Sequence, residues 1–260
     1  MIPISDDNPT HRPAVVTYAI LAVLLLVWVL YQGGLNFDES GMLQLAASVC
    51  NMGLVPAELT GAAPVGTTVP IAQGLGCVVD NDPVNYFTPI SSMFLHGSWS
   101  HLLGNGLFLW VFGNNVEDVM GRLRFLAFYL LCGLVASAAH VLVTPDSPIP
   151  TVGASGAISG VMGAYLVLFP RVRVNMLFWF IIIIRVIPVP AWLVLIYWFV
   201  LQVITGLPEL TRVNSEVTGG VATWAHVGGF VAGVVLVYLF ANVQAARSRS
   251  IALHPKRVAA

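Results

Sequence analysis

Three short stretches of this chain carry polar residues suited to acyl transfer, each set in apolar surroundings. His96-Gly-Ser-Trp-Ser-His101-Leu-Leu-Gly-Asn105 supplies two imidazoles and an amide, Gly153-Ala-Ser155-Gly156 a hydroxyl, and Ala225-His226-Val-Gly-Gly229 a third imidazole. A serine hydroxyl is a weak nucleophile and needs an adjacent base, and His226 is the best candidate for Ser155. His101 and Asn105 are spaced i, i+4, so on a helix they share a face. With the backbone N–H of Ser155 near a helix start, they form a set of donors for a tetrahedral oxyanion. Gly-Ala-Ser-Gly alone is a weak signal, and it is not the G-x-S-x-G elbow, because residue 157 is alanine.

Composition says what must position these residues. The chain has 260 residues, 57% hydrophobic and 9% charged, with mean hydropathy +0.85. Soluble domains carry about 25% charged residues, so the expected class is a polytopic, all-α membrane protein of one domain. The net charge of −1 and the lack of a basic cluster argue against a nucleic-acid partner. Polar residues inside membrane spans are costly and read as functional by default.

A membrane helix needs about 20 mainly apolar residues. Six segments qualify or nearly do: 14–31, 96–114, 124–143, 153–169, 189–206 and 222–242. Breakers such as Gly33-Gly34, Pro145, Pro170, Pro188 and Gly206 with Pro208 separate them. The first run is longer than a secretory h-region and no A-x-A site follows it, so it reads as a retained span; a misread signal peptide is the alternative. With both termini in the cytoplasm, the cytoplasmic segments hold Arg12, Arg122, Arg124, Arg171, Arg173, Arg185, Arg247, Arg249, Lys256 and Arg257. Only Arg212 of the 11 basic residues falls outside. No span from the third to the sixth contains Asp or Glu, which favours a Ser155–His226 dyad over a triad. Spans two, four and six all run inward, which brings Ser155, His226, His101 and Asn105 to one depth in the outer leaflet.

The rest of the chain divides into an N-terminal tail (1–13), a membrane domain (14–242) with a long outer loop (32–95), and a basic tail (243–260). Residues 174–187 are apolar but too short to span. They read either as an interfacial or loop segment on the cytoplasmic side or as a buried strand-like piece. Cys50 and Cys77 in the outer loop are either paired or two free thiols. Residues 53–76, rich in Gly, Pro, Ala and Thr, suggest an irregular insertion. His140, near the outer end of span three, reads as structural. Gly156, Gly160 and Gly163 on span four, with Gly229 and Gly233 on span six, mark close-packing helix faces.

In this order and at one depth, the three motifs resemble the rhomboid family of intramembrane serine proteases, from about Ala14 to Asn242. The stretch Glu117-Asp118…Gly121-Arg122 also resembles many bacterial rhomboids. The resemblance implies a six-helix rhomboid bundle, a Ser155–His226 dyad, an oxyanion site at His101 and Asn105 with Gly153 in support, and a structural part for His96. It implies no cofactor and no metal, transmembrane protein substrates cut near their outer end in the lipid bilayer, and a multi-pass place in a bacterial plasma membrane. Two features depart from the family. The outer loop lacks the Trp-Arg motif, and Ser159 stands where some members have an aromatic residue supporting the histidine.

Substrate is expected to enter laterally between spans two and five, beneath the loop 206–222. Trp198 and Phe199 are the favoured gate pair; ordinary packing or interfacial anchoring is the alternative for either. Three other functions compete. A catalytically inactive rhomboid-like protein that binds membrane clients typically lacks the serine or the histidine. A transporter finds no inverted repeat or charged midplane pair here, and a metalloprotease finds no H-E-x-x-H.

Overall fold

Long apolar runs have few ways to satisfy their backbone without water, and the helix is the simplest. Six segments of the chain form its principal helices: α1 (Val15–Leu26, prolonged by a π-helical turn over Val27–Tyr31), α5 (Trp99–Met120), α6 (Arg122–Val143), α7 (Ser155–Leu168), α8 (Ala191–Thr211) and α9 (Thr223–Phe240). The computed structural model describes residues 2–72, 74–79, 84–180, 183–211 and 222–253. Within these, Arg122–Val143, Ala191–Leu210 and Thr223–Phe240 are long and apolar enough to cross a membrane, and Val15–Tyr31 and Ser155–Leu168 are shorter apolar helices. α8 continues past its expected end at residue 206, carrying Pro208 in its last turns.

α7 is the buried centre, with Gly156, Ala157, Ile158, Ser159 and Gly160 all inaccessible. It packs against α5, α6 and α9. A Cβ on Gly229 or Gly233 would collide with the carbonyl oxygens of Gly156 and Gly160, and one on Gly163 with that of Phe230. Only glycine lets the backbones of α7 and α9 touch in this way.

The expectation of an all-α chain needs correction, because the mainly helical structure also contains two small sheets. Residues 174–187 belong to an antiparallel hairpin, β4 (Arg173–Phe180) and β5 (Ile183–Pro190), and β1 (Ile2–Asp6) pairs with β4. The segment is dense in β-branched and aromatic residues, which suit a strand. Its root is covered, with Val174 and Met176 buried, while Trp179 is 76% exposed farther out. Asp6 accepts hydrogen bonds from the Tyr165 hydroxyl of α7 and, at 2.8 Å, from Asn115 Nδ2 of α5. Burial pushes the Asp6 carboxyl up to about 6. Glu117 and Asp118 tie down the approach to α1. Glu117 accepts from the backbone N–H of Val16 and Thr17, and Asp118 from those of His11 and Arg12.

The long loop after α1 is more ordered than its composition suggests. It contains α2 (Glu39–Met52), capped by the Asp38 side chain, α3 (Pro56–Thr60), and a hairpin of β2 (Thr68–Ala72) and β3 (Leu75–Val78), followed by α4 (Thr88–Ser91). Cys50 of α2 and Cys77 of β3 are joined in a disulfide, with Cα atoms 5.2 Å apart. At the other end of the chain, α10 (Val243–Leu253) docks through Arg247, whose Nε donates to the carbonyl of Val167 at 2.8 Å. The last part of the basic tail, 254–260, and most of the loop 206–222 lie outside the described residues.

Candidate active site

Each polar residue named above reaches the site by a local device. Ser98 caps α5, its hydroxyl accepting from the backbone N–H of His101 at 3.1 Å. The helix therefore starts just early enough to give His101 and Asn105 one face in its first turns. Gly153 has φ +130°, a region that L side chains rarely adopt. This conformation turns the chain into α7, of which Ser155 is the first residue. By position the Ser155 N–H has no intrahelical acceptor. His226 sits in the first turn of α9.

These residues surround one cavity of about 590 Å³, lined by Ser155, His226, His101, Asn105, Gly153 and Trp198 among others. His226 Nε2 lies 2.7 Å from Ser155 Oγ. The backbone N–H of Gly97 donates to His101 Nδ1 at 3.4 Å. That leaves Nε2 as the His101 nitrogen that carries a proton, and a Cβ added to Gly153 would stand only 2.8 Å from it. Asn105 is buried, and its Nδ2 has no hydrogen-bond partner among the described residues. A buried donor left unpaired costs free energy, so here it stands ready for an acceptor that enters the cavity.

His96 lies one layer away. It is fully buried, its ring meets that of His101 edge-on at 5.1 Å, and its backbone is held by Gln32 of the α1 exit. His140 donates to or accepts from Thr151 at 3.0 Å and so braces the segment that leads to Gly153. Trp198 packs against His226 at 5.7 Å and against Phe230 at 6.0 Å, and Phe199 stacks on Phe230 at 4.7 Å. Both rings thus rest on α9. Among the described residues, no group of three or more His, Cys, Asp or Glu is arranged to hold a metal ion.

Two contributors were not visible in the sequence. Gln202 of α8 places Oε1 2.8 Å from His226 Nδ1. The available signal was a lone amide in the otherwise apolar stretch of α8 from Ala191 to Ile204, one turn after Trp198. Ser159, in the position without an aromatic, instead donates to the Ser155 carbonyl at 2.6 Å. The second contributor is the outer loop. Leu54 and Thr151 exchange backbone hydrogen bonds of 2.9 and 2.8 Å, and Leu54 lines the cavity. Ala57 N–H bonds the Ser147 carbonyl and Thr60 the Pro145 carbonyl, so the insertion clamps the segment running into Gly153.

The Rhomboid domain family matches residues 83–243, which include every residue of the cavity cluster named here except Leu54. The chain belongs to the rhomboid family. It is 43% identical over 77 residues to Rhomboid protease GluP of Bacillus subtilis, covering 30% of this chain and 15% of that protein. It is 29% identical over 162 residues to Rhomboid-like protein 11, chloroplastic, of Arabidopsis thaliana, covering 60% and 53%. It is 30% identical over 181 residues to Rhomboid-like protease 5 of Toxoplasma gondii, covering 67% and 18%. The matched region thus spans about half or less of these relatives' own lengths. With its apolar helices, the chain is a membrane protein of that family.

Proposed function

We propose that this protein is an intramembrane serine endopeptidase that cuts transmembrane segments of other membrane proteins near their outer end. The observation that carries the reading is the 2.7 Å contact between Ser155 Oγ and His226 Nε2 beside a cavity. In this reading His226 Nε2 takes the hydroxyl proton as Ser155 Oγ attacks the scissile carbonyl. The oxyanion is met by His101 Nε2–H, Asn105 Nδ2 and the Ser155 N–H, with Gly153 keeping His101 close and His96 backing its ring. His226 then gives its proton to the leaving amine, and water repeats the sequence on the acyl-enzyme. The substrate strand must be unwound locally, because a formed helix hides its carbonyls in backbone bonding.

The reading includes six spans over residues 14–242, both termini in the cytoplasm, and the tails 1–13 and 243–260 on that side. The asymmetry of Lys and Arg supports it. Substrate enters between spans two and five, and Trp198 with Phe199 forms the gate by holding span five on Phe230. The proposed site of action is a bacterial plasma membrane, the place that the resemblance of Glu117-Asp118…Gly121-Arg122 to bacterial rhomboids implies.

The deciding experiment is labelling with a serine-directed fluorophosphonate, together with cleavage of a transmembrane reporter. Wild type is expected to label and cut, and Ser155→Ala and His226→Ala to do neither while remaining folded. Cleavage near the wild-type rate by either purified variant would rule out the dyad. A folded wild type that neither labels nor cuts would favour an inactive client-binding protein.

A further inference from the structure

A dyad histidine needs more than a serine. Its ring has two nitrogens, and only the form protonated on Nδ1 leaves Nε2 free to accept the serine proton. Some group must select that form and hold the ring. Triads use a carboxylate for this, but the structure gives His226 a neutral partner. Gln202 Oε1 lies 2.8 Å from Nδ1, on the side of the ring away from Ser155. An amide oxygen only accepts, so this contact requires the proton on Nδ1.

We propose that Gln202 is a positioning residue that selects the base-competent form of His226 and fixes its ring against Ser155. The inference rests on the serine-protease reading above. Gln202 does not act from a free helix. On the same stripe of α8, Trp198 packs against the His226 ring, Gly206 accepts from Trp224 Nε1 at 3.0 Å, and Glu209 accepts from the Thr223 hydroxyl at 2.8 Å. These contacts recur every three to four residues, the spacing of one helix face, and they register α8 against the first turn of α9. Span five therefore does two things in this chain. It closes the side of the cavity, and it carries the group that orients the base. This arrangement also answers the absence of an aromatic at Ser159: the histidine is supported from α8 rather than from α7.

The test compares wild type, Gln202→Leu, Gln202→Glu and Ser155→Ala in detergent or bilayers. It reads kcat and KM for a transmembrane reporter, the rate of fluorophosphonate labelling and thermal stability. Gln202→Leu removes the acceptor at similar size. It is expected to lower kcat and the labelling rate by about 10²-fold, the cost of a catalytic group misplaced by about 1 Å, with KM within about threefold. Gln202→Glu keeps an acceptor at the same reach and is expected to recover most of the loss. ¹⁵N spectra of histidine-labelled protein should give His226 protonated on Nδ1 in wild type and not in Gln202→Leu. Wild-type kcat in Gln202→Leu would overturn the proposal. So would equal losses in the Leu and Glu variants that follow a common fall in stability, which would mark the contact as structural only. If wild type labels no better than Ser155→Ala, the serine-protease reading fails, and the positioning role fails with it.

Discussion

Gly153→Ala is the sharpest test of how the cavity is built, because two separate quantities predict its effect. A non-glycine residue in a sparsely populated backbone region costs about 1–3 kcal/mol, and Gly153 has φ +130°. The added Cβ would also stand 2.8 Å from His101 Nε2 and 2.9 Å from Cε1. Ordinary contact is about 3.5 Å, so the His101 ring must retreat by about 0.7 Å or the turn into α7 must shift. Either movement displaces an oxyanion donor from the Ser155 hydroxyl, and a misplacement of that order costs about 10²-fold in rate. Reporter cleavage is expected to fall by about that factor, mostly in kcat, with a modest loss of thermal stability. The cause can be isolated with a double-mutant cycle. In a His101→Ala background the collision no longer exists, so Gly153→Ala should cost far less there than in wild type. Equal costs in both backgrounds would refute the collision with His101 as the mechanism. Wild-type kcat in the single variant would refute the reading of Gly153 altogether.

Asn105→Ala is expected to slow reporter cleavage by about 10²–10³-fold, the usual cost of one oxyanion donor, with little change in KM; no effect alone or with His101→Ala would move the oxyanion site elsewhere. A cysteine near Thr67, in a variant lacking the native cysteines, should react with an impermeant thiol reagent in intact cells and one near Ser248 should not; the reverse pattern would refute the proposed orientation. Trimming Phe199 to a smaller apolar residue should loosen span five from Phe230 while leaving Trp198 against the His226 ring, and raise cleavage of a transmembrane substrate if entry limits the rate, whereas a verified disulfide between spans five and two should suppress it; full activity in the cross-linked enzyme would exclude that route. The raised carboxyl of Asp6 gives a pH dependence of known sign. Its protonated form is favoured in the folded state, so its contribution is full below about pH 4 and is lost as pH rises through about 6. With the intrinsic base-catalysed rate divided out, the protection factors of the β1 amides should fall over that interval in wild type and not in Asp6→Asn, and an equal pH response in both would count against the assignment.

Much of this protein was legible in its residues because the signals are local. An apolar run needs no knowledge of its neighbours to become a helix, and the apolar runs over 14–31, 124–143 and 222–242 sit within a few residues of α1 with its π turn, α6 and α9. The ends of the helices are written by nearby residues too: Ser98 three residues before His101, Gly153 two before Ser155. Helix starts at those points bring Ser155, His226, His101 and Asn105 to one end of the bundle. What sequence could not supply are contacts whose partners lie far along the chain. The β-branched and aromatic residues of 174–187 suit a strand, but Asn175 meets Ser5 across 170 residues, and that distant partner strand lies outside anything the segment itself records. Cys50 and Cys77 carry no distance in their types, and the fold of α2 against β3 decides that they pair. Leu54 is an unremarkable leucine until the outer loop folds back onto Thr151. Gln202 is a single amide in an apolar stretch of helix, and its role depends on how α8 is rotated and set against α9. That rotation is decided by packing: Trp198 and Phe199 on Phe230, and Gly206 beneath Trp224. Residue type sets what a side chain can do, but only the packing of distant elements brings it within hydrogen-bond range of the group it serves.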